Sequence, residues 1–313
     1  MTVGAPRVLP AAGPRAVARA PADAVAPSRA PRAFRRVEHI MGTAITVDVR
    51  EGDPEPGDLD AAFARLREVD ERFSTYRPDS EISRLLRGDI REHECSPDVR
   101  HVLALCDDLH RTSGGYFDAR GHRTDGGPDP TGVVKGWAVE EAAWLIAEAG
   151  ADRFAINAGG DIVVRGGVSP DEPWRVGIRH PRIADRVAAV VRLRDAAIAT
   201  SGAYERGEHI VDPHTGRPPR ALLAVSVIGP SLTYADAYAT AAFAMGMDGP
   251  AWVASHPGYG AFAVTADERV LWTPEVDPLL DHLARRRAPV GLPAPGQVFR
   301  ISSECGGTPC AKG

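Results

Sequence analysis

The stretch Phe154-Ala155-Ile156-Asn157-Ala158-Gly159-Gly160-Asp161-Ile162-Val163-Val164 decides which kind of sheet this chain forms. Its two apolar ends are typical of short strands, and the paired glycines between them can adopt the positive φ values of a tight hairpin turn. Strands joined so closely run antiparallel, because a parallel pair needs a long crossover connection. The stretch also lacks the G-x-G-x-x-G spacing of a dinucleotide-binding loop, which excludes a Rossmann site here.

The sequence on both sides of this hairpin mixes further strands with helices. Alternating or continuous apolar patterns predict strands at residues 43–49, 174–178, 187–193, 197–200, 222–228, 261–265 and 270–273. Helical spacing predicts helices at residues 60–73, 97–112, 135–149 and 235–245. A short helix is expected from Glu81, capped by Asp79 or Ser80. Because the order does not repeat β-α-β, we predict an α+β fold with a mixed, mostly antiparallel sheet and flanking helices.

Length and composition exclude several classes of protein. The chain has 313 residues, 43% hydrophobic residues and a net charge of -5, so it can bury a core and has no basic field for nucleic acid. Its four cysteines include no C-x-x-C pair, which fits a reducing compartment. No run of 18 apolar residues is present, so we expect no transmembrane helix.

Both ends differ in composition from the middle of the chain. Residues 1–36 are rich in Ala, Pro and Arg, and Pro and Arg interrupt every candidate apolar core of a secretory signal. We therefore expect a disordered basic segment and a cytoplasmic protein. Residues 287–313 are rich in Pro and Gly and are expected to form a second loose tail. A single domain is predicted at residues 37–286.

Two local patterns suggest a site for a metal and a phosphate. Asp236 and Thr240 are four apart in a predicted helix and share one face, where a carboxylate and a hydroxyl suit Mg²⁺. Helix capping by Asp236 and core packing of Thr240 explain the pair more simply. Residues 129–136, Asp-Pro-Thr-Gly-Val-Val-Lys-Gly, form a glycine-containing loop that opens a helix. Its amides and Lys135 can hold a phosphate, or Lys135 is simply solvated.

A third pattern, His209-Ile210-Val211-Asp212-Pro213-His214-Thr215-Gly216, suggests a proton-transfer group. His209 and Asp212 can form an acid/base pair. The Pro and Gly residues also predict a turn, which Asp212 can cap without any catalytic role.

The order of these patterns along the chain is more specific than any one of them. Together with Met41-Gly42-Thr43, the segments Ser-Thr-Tyr-Arg-Pro-Asp-Ser-Glu at 74–81, Gly-Gly-Tyr-Phe-Asp at 114–118 and Ala-Thr-Ser-Gly at 199–202, they resemble the ApbE family, the FAD:protein FMN transferases. The resemblance implies an ApbE-like, T-fold-related domain that binds FAD in a cleft. It also implies use of Mg²⁺ to cleave FAD to FMN and AMP, or to transfer FMN to a Ser/Thr hydroxyl of a target protein.

The resemblance further implies a role for each matched residue. Asp236 is expected to be catalytic and to bind Mg²⁺ with Thr240 and the backbone carbonyl of Gly132. His209 is expected to be the general base. The expected FAD contacts are Met41, Tyr76, Tyr116, Phe117, Asp118, Asp129, Lys135 and Ile210.

Two alternatives remain open beside FMN transfer to a target protein. One is an FAD pyrophosphatase, which would use the same metal and base with water as the acceptor. The other is a catalytically silent FAD-binding protein, which would have an incomplete set of these groups. The presence of Asp236, Thr240, His209 and Lys135 favours an enzyme. FAD and a target protein are the expected partners.

Overall fold

The structure, a computed structural model, describes residues 33–52, 54, 56–120, 129–183, 186–203, 210–281 and 299–300. Its helices are α1 (Pro56–Phe73), α2 (Glu81–Leu86), α3 (Pro97–Thr112), α4 (Thr131–Glu148), α5 (Leu232–Met245) and α6 (Gly249–Ala254). Short 3₁₀ turns lie at Glu92–Glu94, Gly246–Asp248 and Asp277–Leu279. Its strands are β1 (Phe34–Ile40), β2 (Thr43–Gly52), β3 (Ala151–Ala158), β4 (Asp161–Arg165), β5 (Trp174–Arg179), β6 (Val187–Leu193), β7 (Ala196–Gly202), β8 (Leu222–Gly229), β9 (Gly260–Thr265), β10 (Arg269–Trp272) and β11 (Phe299–Arg300).

The predicted glycine hairpin is β3–β4, near the middle of the main sheet. Ala158 pairs with Asp161 across the turn, and Gly159 and Gly160 have φ values of 64° and 107°. The sheet has nine strands in the order β1-β2-β3-β4-β7-β8-β9-β10-β11. All pairings between these described strands are antiparallel. The α+β prediction is therefore confirmed.

Helices α1, α4 and α5 cover one face of this sheet. α4 lies between α1 and α5 and also contacts β3, so residues on most of its circumference are buried. This position explains why its sequence is apolar without a single polar stripe. The resulting core includes Phe63 and Leu66 of α1 and Phe154 and Ile156 of β3, all fully buried. Burial on this scale, rather than helix propensity, fixes the three helices on the sheet.

A separate hairpin, β5–β6, covers part of the opposite face. Its inward side chains include Trp174, Val191 and Leu193, which belong to a second core with Phe262 and Trp272 of the main sheet. The molecule thus has helices on one side of the sheet and a two-stranded ribbon on the other. The cleft described below lies where the first turns of α4 meet α5 and the end of β7.

Two helices begin earlier in the structure than the apolar spacing of the sequence indicates. α4 begins at Thr131, so the loop predicted at 129–136 is wrong beyond Pro130. The Asp129 carboxylate accepts the Thr131 N–H at 3.1 Å and supports this earlier start. α5 begins at Leu232 because the Ser231 hydroxyl caps it, and the predicted cap of α2 by Ser80 is confirmed.

The predicted tails fall mainly outside the described residues. β1 begins at Phe34 and therefore includes residues 34–36, which the sequence analysis placed in the basic N-terminal segment. Residues 299–300 form β11 within the predicted C-terminal tail, and the other residues of 287–313 are not described. Among the described residues, no helix combines the length and the apolar character needed to span a membrane.

Candidate active site

A cleft of about 170 Å³ opens where the first turns of α4 meet α5, the end of β7 and the segments before and after them. It is lined by Tyr116, Phe117, Asp118, Asp129, Thr131, Gly132, Lys135, Thr200, Ser201, Gly202, Ile210, Val211, Asp236 and Thr240. Most of the residues that the sequence analysis selected therefore meet in one place, although they are spread between residues 116 and 240 of the chain.

The close approach of α4 to α5 creates the deep end of the cleft. A Cβ atom at Gly136 would lie 2.7 Å from the Leu232 carbonyl oxygen and 2.9 Å from Asp236 Cβ. The Gly136 N–H donates a hydrogen bond to Asp236 Oδ2 at 3.1 Å. In a regular helix this N–H would bond to the Gly132 carbonyl, so the Asp236 carboxylate competes for that donor. Only glycine at 136 permits this contact.

Asp236 and Thr240 lie side by side on the face of α5 that turns to the cleft. Asp236 is 6% exposed, and its main-chain carbonyl accepts a hydrogen bond from Thr240 Oγ1 at 3.2 Å. Thr240 Oγ1 is also 3.4 Å from Ser201 Oγ of β7. Asp236 does not cap its helix, because Ser231 holds that position. The simpler explanation of Asp236 as a capping residue is therefore wrong.

Gly132 in the first turn of α4 faces this pair across the cleft. A Cβ at Gly132 would lie 3.2 Å from the Phe117 ring and 3.8 Å from Thr240 Cγ2, so the helix backbone is close to both side chains. The carboxylate of Asp236, the hydroxyl of Thr240 and the carbonyl of Gly132 are all hard oxygen donors. Because Mg²⁺ often takes one protein carboxylate and completes its shell with water and substrate phosphate, this donor set fits Mg²⁺.

Lys135 lies one helical turn from the start of α4 and reaches toward the sheet. Its ammonium forms an ion pair with Asp161 Oδ2 of β4. The side chain of Lys135 is 23% exposed, whereas that of Asp161 is 3% exposed. A positive group is therefore held at the cleft surface by a carboxylate buried behind it.

The segment that follows α3 forms another wall of the cleft. Tyr116 contacts the ring of His214 edge to face, with 4.5 Å between ring centroids, and Phe117 is 3% exposed. The Asp118 Oδ1 atom accepts the Arg120 N–H at 2.8 Å and lies 3.9 Å from His110 Nδ1. An aromatic wall beside carboxylates can accommodate a flat ring system next to polar groups.

Two of the predicted site residues that the structure describes do not line the cleft, and a third lies outside the described residues. Met41 lies in the β1–β2 turn with a φ of 55° and packs partly on the main core. Tyr76 is 97% exposed in the turn before α2. His209 lies outside the described residues, although Ile210, its neighbour in sequence, lines the cleft.

Asp212 has the structural role that the sequence analysis left open for it. Its Oδ1 atom accepts the His214 N–H at 2.9 Å, and its Oδ2 atom accepts the Thr215 hydroxyl at 2.9 Å. The carboxylate therefore stabilises the turn at residues 212–217.

Sequence reasoning did not select Asp161, Thr200 or Ser201 as site residues, although each lay in a matched segment. Asp161 was explained as part of a hairpin turn, and the Ala-Thr-Ser-Gly segment served only as part of the resemblance. The sequence did contain a signal that could have found them. Asp161 places a carboxylate, and Thr200 and Ser201 place two adjacent hydroxyls, at the ends of buried strands, where such groups need polar partners.

Glu140 fixes the position of α5 from one turn further along α4. Its Oε2 atom accepts hydrogen bonds from the Ser231 hydroxyl at 2.7 Å, from the Thr233 N–H at 3.1 Å and from the Thr233 hydroxyl. Burial raises the pKa of the Glu140 carboxyl, although these hydrogen bonds act in the opposite direction. Both Glu140 and Gly136 of α4 therefore hold the first turns of α5, which carry Asp236.

The fold and the cleft define an α+β protein with a site between two helices and the end of an interior strand of the sheet. Comparison with known proteins then identifies the family. A model of the ApbE family matches residues 41–123 and 127–263, and the chain belongs to this family.

Curated relatives share about a third of the aligned residues. An FAD:protein FMN transferase of Escherichia coli K12 is 32% identical over 149 residues, which cover 44% of this chain and 42% of the relative. One from Treponema pallidum is 34% identical over 157 residues, covering 44% and 43%. One from Rhodobacter capsulatus is 33% identical over 189 residues, covering 58% and 35%. The chain thus matches about two-fifths of the length of such relatives.

Solved structures support the fold over a longer range. The flavin transferase ApbE from Vibrio cholerae has a TM-score of 0.68 and 22% identity, and the match covers 80% of this chain and 100% of that protein. The ApbE protein of Thermotoga maritima has a TM-score of 0.67 and 22% identity, with 75% and 94% covered. The sheet and helices described above are therefore those of the ApbE proteins.

Proposed function

We propose that this protein is a Mg²⁺-dependent FAD:protein FMN transferase. The observation that carries the proposal is the convergence of Asp236, Thr240 and Gly132 with Lys135 in one cleft beside an aromatic wall. Relatives named FAD:protein FMN transferase support the reaction class. FAD is the proposed substrate, a protein with a Ser/Thr hydroxyl is the proposed acceptor, and the cytoplasm remains the predicted location.

The proposed metal ligands are the Asp236 carboxylate, the Thr240 hydroxyl and the Gly132 carbonyl. When bound there, Mg²⁺ would neutralise negative charge on the pyrophosphate of FAD as the bond between its phosphates breaks. The Gly136 N–H fixes the orientation of the Asp236 carboxylate through its 3.1 Å hydrogen bond. The hydrogen bond from Thr240 to the Asp236 carbonyl holds the hydroxyl on the same face of α5.

The remaining groups have distinct proposed roles in binding. Lys135 donates to a phosphate oxygen, and Tyr116 and Phe117 pack against an FAD ring and exclude water from it. Asp118 and Asp129, with Ile210, complete the lining around the nucleotide. We also propose that Met41 and Tyr76, which lie outside the cleft lining, contact parts of FAD that extend beyond it.

Transfer requires removal of one proton from the acceptor hydroxyl. We propose that His209 takes this proton, because an imidazole has a pKa near neutrality. The acceptor oxygen forms a bond to the FMN phosphorus, and the bond from that phosphorus to the AMP oxygen breaks. AMP leaves, and FMN stays on the acceptor through a phosphoester.

The experiment that tests this proposal is incubation of the protein with FAD, with and without Mg²⁺, followed by chromatography of AMP and FMN. Mg²⁺-dependent release of AMP is expected. Loss of this release is expected for Asp236→Asn, whereas Asp267→Asn serves as the matched control in an exposed turn. Full turnover by Asp236→Asn would contradict the assignment of the metal site.

The balance of products distinguishes the three possible activities. AMP in excess of free FMN indicates transfer onto protein, and equal amounts indicate an FAD pyrophosphatase. Tight FAD binding without AMP in any condition indicates a silent binding protein. A His209→Ala variant is expected to bind FAD and to transfer no FMN, and normal transfer by this variant would remove the base assignment.

A further inference from the structure

Asp161 is a buried carboxylate behind the cleft wall that the proposed mechanism does not use. It is the first residue of β4, directly after the Gly159–Gly160 turn, and only 2% of its surface is exposed. It does not line the cleft, so it cannot serve as a contact for FAD itself. A carboxylate buried to this extent needs partners that offset the cost of removing it from water.

Its two oxygen atoms have different partners on different elements. Oδ1 accepts the Thr200 N–H of β7 at 3.1 Å, and Oδ2 pairs with the Lys135 ammonium of α4. The backbone pairing of β4 with β7 begins only at Ile162 and Ile198. The Asp161 side chain thus replaces a main-chain acceptor at the end of the ladder. It joins β4, β7 and α4 at the point where Thr200 and Lys135 line the cleft.

The stability of the fold does not by itself explain why a buried ion pair joins Lys135 and Asp161. Replacing a buried ion pair by apolar side chains of similar volume is often neutral or stabilising. The position of Lys135 gives a better reason. A lysine side chain has many rotamers, and holding it in place before a ligand arrives reduces the entropy that binding must overcome. The ammonium carries three N–H donors, and an ion pair with one carboxylate oxygen sets the direction in which they point.

We propose that Asp161 is a positioning residue that holds the Lys135 ammonium at the cleft surface for contact with a pyrophosphate group. This inference rests on the proposed function of the cleft. Asp161 acts through Lys135, and its contribution is orientation of the N–H donors, because its own negative charge opposes the binding of an anion.

The substitution Asp161→Asn separates this role from support of the sheet. The asparagine side chain keeps an oxygen that can accept the Thr200 N–H, and it loses the negative charge that holds Lys135. Asp195→Asn is the matched control, because Asp195 Oδ1 accepts the Gly166 N–H at 2.8 Å in a similar way and does not line the cleft.

The test uses ADP as the probe, with its affinity measured by calorimetry at fixed Mg²⁺ concentration. The wild type, Asp161→Asn, Lys135→Met, the double variant and Asp195→Asn are compared. Asp161→Asn is expected to bind ADP about tenfold more weakly, the loss typical of one hydrogen bond to a charged group. The double variant is expected to bind ADP no more weakly than Lys135→Met alone, because Asp161 acts through that lysine. Asp195→Asn is expected to bind like the wild type.

Three results would overturn the inference. The first is that Asp161→Asn binds ADP as tightly as the wild type does. The second is that the loss of ADP binding free energy in the double variant equals the sum of the losses in the two single variants. The third is that the wild type does not bind ADP. If Asp161→Asn does not fold, Asp161→Glu, which displaces the carboxylate by one methylene, takes its place in the same comparison. FAD turnover is measured in parallel. If the protein binds ADP but releases no AMP from FAD, the proposed reaction is refuted, and the role of Asp161 is still decided by the ADP affinities of the variants.

Discussion

Replacing Gly136 by alanine tests how closely α4 and α5 must approach to build the cleft. The new Cβ would lie 2.7 Å from a backbone oxygen of Leu232, where ordinary contact begins at 3.4 Å. The two helices must therefore separate by about 0.7 Å, since backbone atoms cannot rotate away. That shift would stretch the 3.1 Å bond from Gly136 to Asp236 beyond hydrogen-bonding distance.

The expected cost follows from two opposing effects. Overpacking of a dense core costs about 1–3 kcal/mol, whereas alanine improves helix propensity over glycine by about 1 kcal/mol. We expect a net loss of about 1–2 kcal/mol in the free energy of unfolding, because the clash is with backbone. Loss of the hydrogen bond that orients Asp236 should also raise the Mg²⁺ concentration for half-maximal AMP release by about tenfold.

Denaturant unfolding and Mg²⁺ titration of FAD turnover measure these two effects separately. Gly57→Ala is the matched control, because Gly57 also lies near the start of a helix and a Cβ there meets nothing within 4 Å. Its stability should be equal to or slightly above that of the wild type. A Gly136→Ala variant with wild-type stability and Mg²⁺ dependence would refute the claim that this glycine sets the helix separation.

Three further predictions concern Glu140, Cys106 and Tyr76. Burial raises the pKa of Glu140 above its ordinary value of 4.5, so the folded protein holds a proton that the unfolded chain has released. The free energy of unfolding should therefore fall as pH rises from about 4.5 through the raised pKa of Glu140. Glu140→Gln should flatten this pH dependence in unfolding titrations, and an unchanged slope would contradict the raised pKa of Glu140. Burial raises the pKa of the Cys106 thiol to about 12, so iodoacetamide at pH 8 should alkylate this cysteine only after the protein is unfolded. Mass spectrometry measures the alkylation, and rapid labelling of the native protein would contradict the burial of Cys106. Tyr76 is 97% exposed, so Tyr76→Ala should change the free energy of unfolding by less than about 0.5 kcal/mol. If the proposed contact of Tyr76 with FAD is a stack on one of its rings, the same variant should lose about 1–3 kcal/mol of FAD binding free energy in fluorescence titration, and full affinity would remove this contact.

Local chemistry allowed much of the fold to be predicted. The glycines between 156 and 162 gave the β3–β4 hairpin, and α3 has the predicted bounds because Ser96 caps it and Pro97 starts it. The start of α4 was predicted four residues too late. The first turn of α4 contains Gly132 and has no side-chain N-cap, and a single contact such as that from the Thr131 N–H to the Asp129 carboxylate leaves no periodic pattern.

The candidate site was predictable only in part. The order of short segments indicated which residues to examine, and the structure brings many of them to one cleft. The partner of Lys135 could not be predicted in this way. Asp161 lies in a turn whose glycines already explained the segment, and nothing in the spacing of the two residues connects them.

The sequence by itself determined most of the strands and helices, the antiparallel α+β class and the resemblance to one family, because strand and helix periods, turn glycines and helix caps act over a few neighbouring residues. Only the tertiary structure decided that Gly136 lies against Leu232 and Asp236, and that Asp161 holds both Lys135 and Thr200. These contacts depend on the distance between α4, α5 and the sheet, which is set by the packing of the whole core and not by any local stretch of the chain.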